Sequence, residues 1–251
     1  MAAPTFKDHF SRQSNHYAIH RPGYPAELYA WLAQHAPAHE RVWDCATGNG
    51  QAAIGLVKHF AHVVASDGSA AQIRNRLVHA RIAYLVALAE AAPLADRCCD
   101  LVTVAQSVHW FELDRFYAEV RRVLRPGGMV AVWTYTFFST TPAVDAVLSD
   151  FYENVVGRYW PPERRLVEAA YRTLPFPFSE IPAPEFRFEC GWTLEHILGY
   201  LASWSAVQRF KQAEGHDPLT ALRPAVERAW GGPPDEVRTA VWPIHVRAGR
   251  V

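Results

Sequence analysis

The chain has 251 residues, half of them apolar and a fifth charged, enough to bury a substantial core and too ordered a composition for a disordered tail. Its 25 Lys plus Arg balance 25 Asp plus Glu, and this net charge of zero argues against nucleic acid as a partner. No stretch approaches the ~20 apolar residues that span a bilayer.

The first 25 residues are polar and end in a breaker, Arg21-Pro22-Gly23-Tyr24-Pro25. They lack an apolar signal core, so the expectation is a cytoplasmic protein without a membrane partner. From Glu27 to Val132 strands and helices alternate. Leu28, Trp31 and Leu32 space a helix over 27–35, and Arg41–Ala46 reads as a short apolar strand. A helix follows over Gln51–Phe60, then a strand over His62–Asp67, a helix over Ser69–His79 and a weaker strand over Ala83–Val86. Asp100–Gln106 is a β-branched strand, and Leu113–Leu124 is an amphipathic helix that Arg125-Pro126-Gly127-Gly128 terminates. Met129–Trp133 resumes a strand. Such alternation predicts an α/β fold, a doubly wound and mostly parallel sheet covered on both faces.

After Thr140 the texture changes: twelve of the eighteen Pro fall there, among helices and Pro-rich turns. Two late strands are expected, Glu185–Gly191 and Thr239–Arg247, with Pro243 marking a bulge or an unpaired position. One domain is therefore expected over 1–251, with a cofactor-binding core at 26–139 and a helical lid insert with closing strands at 140–251. Four cysteines show no C-x-x-C pair, and the His16/His20 and His35/His39 pairs lack an intervening Glu or a carboxylate cluster, so no metal site is expected.

The chemistry starts at Asp44-Cys45-Ala46-Thr47-Gly48-Asn49-Gly50-Gln51, where a strand runs through two glycines into a helix. Small residues let the backbone pass close beneath a ligand, and the helix's free N–H groups point at it. Seventeen residues past Gly50 the next strand ends in Asp67, whose carboxylate can accept from both hydroxyls of a ribose. The pair points to a nucleoside-containing cofactor. The loop also matches the G-x-G-x-x-G/A pattern of dinucleotide binders, but Asp44 inside the strand would repel a pyrophosphate and welcome a cationic amino-acid end.

These segments, with Ala65-Ser66-Asp67, Glu90-Ala91-Ala92-Pro93-Leu94, Asp100 through Phe111 and Arg121 through Gly128, resemble the class I S-adenosylmethionine-dependent methyltransferases. The likeness is nearest to the small-molecule branch related to trans-aconitate methyltransferases and spans roughly residues 10–135. It departs from the family pattern where Ala46 replaces the first glycine of Asp-x-Gly-x-Gly. The resemblance implies a seven-stranded sheet with an antiparallel last strand. It assigns the Asp44, Ala46, Thr47, Gly48, Gly50 and Gln51 loop to the methionine portion of S-adenosylmethionine, Asp67 to the ribose, Ala89 and Glu90 to the adenine, and Gln106 and Ser107 to the sulfonium side.

For the acceptor, Tyr17 and Arg21 of the leading segment are candidates to reach the active site. Trp110, Trp133 and Tyr135 are candidates for an apolar wall. His109 is the histidine placed for acid/base work, against the plainer reading of a residue fixed by its loop. Arg164 and Arg165 in the lid suit either an acidic substrate or a solvated face, and Trp204 either a pocket wall or core. The expected function is methyl transfer to a small molecule with a carboxylate or hydroxyl acceptor. The competing readings are an NAD-dependent oxidoreductase and a non-catalytic nucleoside-binding protein.

Overall fold

The computed structural model describes residues 23–251. The first helix among the described residues, α1 (Ala26–His35), turns Leu28, Tyr29, Leu32 and Ala33 inward at helical spacing. The alternating half follows in the expected order: β1 (Arg41–Cys45), α2 (Gln51–Leu56), β2 (His62–Asp67), α3 (Ala70–Arg74), β3 (Ile82–Val86), β4 (Cys99–Ala105), α4 (Leu113–Val123) and β5 (Leu124–Tyr135). The second half contains α5 (Pro142–Asp150), α6 (Arg164–Glu168), β6 (Ser179–Ile181), β7 (Phe186–Trp192), α7 (Leu194–Ala202), α8 (Ser205–Glu214), α9 (Pro218–Trp230) and β8 (Arg238–Arg250).

The strands form one sheet in the order β3-β2-β1-β4-β5-β8-β6, with β7 also pairing β8. The sheet is seven positions wide, because β6 and β7 occupy successive stretches of the same edge of β8. Pairing is parallel from β3 through β5, while β8 runs antiparallel to β5, β6 and β7. The middle strands are buried on both faces, and β4 has only Ala105 less than fully buried. This explains its continuous apolar run. One buried cluster unites α1, α2, the helices α5, α7, α8 and α9 and one face of the sheet. A second joins α4, and Val167 of α6, to the opposite face. Strand order reverses at β1, whose neighbours are β2 and β4, so a crevice opens beyond the carboxyl ends of these strands.

Three local expectations need correction. The helix expected over Ser69–His79 ends at Arg74, because the Leu77 amide instead donates to the Asn49 carbonyl (2.8 Å) and pulls the chain onto the glycine loop. Arg125-Pro126-Gly127-Gly128 ends the helix but lies within β5, where the pairing with β4 shifts register between Cys99 and Leu101. The short edge strand β6 was not anticipated; three residues carry too little alternation to read. Pro243 is unpaired on one edge only. β8 pairs β5 as far as Ile244 and meets Ser139 again at Val241, so on that edge Pro243 lies at the break between the two pairings, while on the other it stands opposite Arg187 of β7. On the first edge the missing amide leaves no ladder bond unmade.

Candidate active site

The crevice is built from the ends of β1, β2 and β4. After Cys45 the chain turns through Ala46 (φ +52°), Gly48 (φ +60°) and Gly50 (φ +96°), all in the left-handed region. Thr47 anchors the turn by donating its amide to the Ser66 carbonyl at 2.9 Å. Gly50 has no alternative: a Cβ would stand 2.1 Å from the Tyr84 hydroxyl, which itself donates to the Leu77 carbonyl. Gly48 faces open space instead, with its nearest neighbour, Gln72 Oε1, 4.0 Å from where a Cβ would lie. A backbone that is bare on that side lets a ligand approach closely.

Asp44 is fully buried at the end of β1. Its carboxylate accepts hydrogen bonds from the Thr47 and Thr103 hydroxyls, the latter at 2.8 Å and from the residue opposite it in β4. Burial pushes this carboxyl up to about 6, and the charge of Asp67 pushes the same way, while the two hydroxyls oppose the rise. Asp67 ends β2 and straddles the crevice floor. One oxygen accepts from the Gly48 amide at 2.9 Å and the other from the Ser69 amide at 2.8 Å. Two carboxylates thus share the mouth of the glycine turn, an electronegative spot that repels phosphate and attracts a cation.

The remaining expected contacts lie along the same rim. Ala89 is buried, and the Glu90 carboxylate accepts from the Glu112 amide at 3.0 Å. Gln106 has φ +60° just beyond β4. Its amide donates to the Trp133 carbonyl and its Oε1 accepts from Thr134 at 2.9 Å. Its Nε2 is buried with no hydrogen-bond partner among the described residues. Ser107 donates to the Ala105 carbonyl and leads into a turn of 3-10 helix, Val108–Trp110.

His109 sits in that turn, partly buried, with Nδ1 2.8 Å from the Tyr171 hydroxyl. Burial, helped by the charge of Arg164, pushes its imidazole down to about 3, so it is neutral at pH 7. The three aromatic candidates rest on different neighbours. Trp110 lies against His109, Trp133 meets Tyr24 edge-on, and Tyr135 meets Phe188 edge-on. Tyr17 and Arg21 lie outside the described residues. In the lid, Trp204 is buried among Phe137, Tyr152, Trp160 and Tyr200, the arrangement of a core residue. Arg165 is exposed, whereas Arg164 tucks over the Trp160 ring and donates from Nε to Tyr152 at 2.9 Å. No group of three or more His, Cys, Asp or Glu able to hold a metal occurs among the described residues.

Comparison with known proteins agrees with this geometry. The profile of a Methyltransferase domain family matches residues 43–132, which run from β1 to β5. A Dictyostelium discoideum protein named as a methyltransferase is 31% identical over 229 residues, covering 90% of this chain and 87% of that one. The chain belongs to the methyltransferases. A Mycobacterium tuberculosis relative, named as an uncharacterized methyltransferase, is 32% identical over 84% of this chain and 85% of its own. Among solved structures, a protein of Anaeromyxobacter dehalogenans described as a type II methyltransferase superposes with a TM-score of 0.87 at 47% identity. That match covers 92% of this chain and 97% of the other. The class I methyltransferase fold expected from the motifs is the fold of the chain, lid and closing strands included, and the oxidoreductase reading is not favoured.

Three site residues escaped the sequence reading. Thr103 carried a signal, a lone hydroxyl in an apolar strand at the register of Asp44. Tyr84 and Tyr171 carried none, because only the tertiary fold brings them to the glycine loop and to His109.

Proposed function

We propose that this methyltransferase uses S-adenosylmethionine and methylates a small molecule at a carboxylate or hydroxyl oxygen. The observation that carries the reading is the acidic pair at the glycine turn. Asp67 is tied to the Gly48 amide, and Asp44 is buried beside it, in a crevice at the strand-order reversal. The residues suit that cofactor by their chemistry. Asp44 would hold the ammonium of the methionine portion, Asp67 would accept from the ribose hydroxyls, and the bare backbone at Gly48 admits close approach. Ala89 and Glu90 would border the adenine. The buried Nε2 of Gln106, lacking a partner among the described residues, is a donor that a ligand oxygen would satisfy, with Ser107 beside it.

When bound, S-adenosylmethionine supplies a methyl group activated by its sulfonium, so the protein's task is alignment and exclusion of water. Trp110, Trp133 and the lid aromatics supply apolar surface for the second purpose. A carboxylate acceptor needs no base. For a hydroxyl acceptor, His109 is the candidate base by position, although the burial that holds it neutral also weakens it as a base. Trans-aconitate-like acids are one candidate acceptor class, by the likeness of the motifs.

Calorimetry with S-adenosylmethionine, S-adenosylhomocysteine and NAD tests the cofactor. The first two are expected to bind, and binding of NAD alone sinks the proposal. Asp67→Ala is expected to weaken S-adenosylhomocysteine binding by about tenfold or more, ~1.4 kcal/mol. An unchanged affinity removes the ribose assignment. A labelled-methyl screen against small acids and phenols separates an enzyme from a binder that never turns over.

A further inference from the structure

We propose that Arg164 is the anchor for an anionic group on the methyl acceptor, a carboxylate gripped at the joint between the lid and the turn after β4. The inference rests on the methyltransferase reading and narrows its acceptor class.

The first observation is the state of the guanidinium. Its Cζ lies 4.6 Å from the centre of the Trp160 ring and 5.6 Å from that of Tyr152, and its side chain is only 24% exposed. Its hydrogen bond to a described residue leaves from Nε to the Tyr152 hydroxyl. Among the described residues the carboxylate paired with it, Glu168, stands 4.0 Å from Nε and already accepts a hydrogen bond from Tyr152. Neither Nη1 nor Nη2 donates to a described residue. A cation three-quarters out of water without a close ion pair is costly, and a planar guanidinium with its two amino groups unused matches a carboxylate bidentately.

The second observation concerns the neighbours. Two polar pairs lie at the carboxyl ends of β4 and β5: Gln106 accepts from Thr134, and the Tyr171 hydroxyl meets His109. The helix α6 that carries Arg164 packs against the Val108–Trp110 turn that holds His109, next to Gln106 and Ser107 on the sulfonium side of the proposed cofactor site. Trp160 Nε1, in the ring against the guanidinium, is buried without a partner among the described residues, as are Gln106 Nε2 and Trp133 Nε1 towards the carboxyl ends of β4 and β5, and all three are donors. A buried donor left unmade costs roughly 1–3 kcal/mol, so the ligand that relieves such a set is rich in acceptor oxygens. The site is thereby polarised, with carboxylates at the glycine turn and a cation with spare donors under the lid. One end suits the ammonium and ribose of the cofactor, the other an acid.

The test is calorimetric titration of the full chain saturated with S-adenosylhomocysteine. The probes are benzoate, phenylacetate and succinate, each beside its neutral amide. The variants are Arg164→Gln and Arg164→Lys, with the exposed neighbour Arg165→Gln as control. At least one acid is expected to bind the wild type and Arg165→Gln while its amide does not. Arg164→Gln is expected to weaken that acid by about tenfold or more, with Arg164→Lys between, because lysine keeps the charge and loses the fork. Affinity for S-adenosylhomocysteine is expected to be the same in all four proteins. The proposal is overturned if acid and amide bind alike, if Arg164→Gln keeps the acid, or if no acid binds. It is also overturned if Arg164→Gln loses S-adenosylhomocysteine and thermal stability together, since Arg164 would then be a strut of the lid. A wild type that fails to bind S-adenosylhomocysteine sinks the methyltransferase reading first, and that result is distinct from all the others.

Discussion

At the scale of single residues, the crevice sets a buried charge against stability. Asp44 is buried without a cation, and its carboxyl is raised from 3.8 to about 6. Between those values the folded chain holds a proton that the unfolded chain has released, so stability falls as pH rises through the window and stays lower above it. Two pH units amount to about 3 kcal/mol. Asp44→Asn is therefore expected to melt above the wild type at pH 7 in the absence of ligand, with the two converging near about pH 4, while its affinity for S-adenosylhomocysteine drops. Equal melting temperatures at pH 7 would show that the carboxylate carries no burden. The glycines make a second contrast. Gly48→Ala meets only left-handed strain and is expected to cost ~1–2 kcal/mol. Gly50→Ala adds a collision with the Tyr84 hydroxyl and is expected to cost at least ~3 kcal/mol, with part recovered by Tyr84→Ala in the same chain. Denaturant unfolding of the three variants reads the difference. The places of Asp44, Asp67 and both glycines were legible in the sequence because the carboxylates sit at strand ends and the glycines in the short turn after β1, where spacing alone defines position. Arg164 was ambiguous there, since a basic pair at a helix start does not reveal which member turns inward.

At the scale of elements, the parallel strands were legible nearly to the residue. A strand buried on both faces shows as an apolar run whatever packs on it, as in β1 and β4. Errors fell where a distant contact decides the boundary. The helix α3 stops short because Leu77 hydrogen-bonds the glycine loop, and Arg125-Pro126-Gly127-Gly128 lies within β5 between its paired residues Leu124 and Met129, where the register with β4 shifts. One polar residue organises the end of the sheet opposite the site. Asp100 is fully buried, accepts from the amides of Glu40 and Arg41 at 2.8 and 2.9 Å, and pairs with Arg125 at 2.7 Å. It thereby ties the starts of β1, β4 and β5 together. Asp100→Ala leaves two inward amides unmet and is expected to cost about 3–5 kcal/mol. Affinity for S-adenosylhomocysteine should survive in the folded fraction, because the crevice lies at the other ends of these strands. Loss of affinity without loss of stability would contradict that separation.

At the scale of the whole molecule, the question is whether the lid is an appendage or part of the core. Nine Trp in 251 residues is a composition oddity whose owner is now visible. Trp192, Trp204, Trp230 and Trp242 are buried in the same cluster as Leu28 of α1, Leu56 of α2 and Met129 of β5. Phe138, just past β5, is 2% exposed and meets Phe137, Trp192, Tyr200 and Trp242 within 5.6 Å, so it touches the sheet, the loop leaving it and α7 at once. A lid packed through such a hinge residue cannot lose its contacts without opening the sheet's covered face. Thermal unfolding is therefore expected as one transition in calorimetry and fluorescence alike. Phe138→Ala, at a cost of about 3–5 kcal/mol, should lower that single midpoint rather than split it. An early transition confined to Trp fluorescence, with the far-ultraviolet signal of the sheet intact, would instead define 140–251 as a separable unit. The single-transition outcome bears on the chemistry too. A lid that shares the core of the sheet holds Arg164 and Trp160 in fixed relation to Gln106 and His109, so acceptor recognition would be built into the fold rather than assembled by closure.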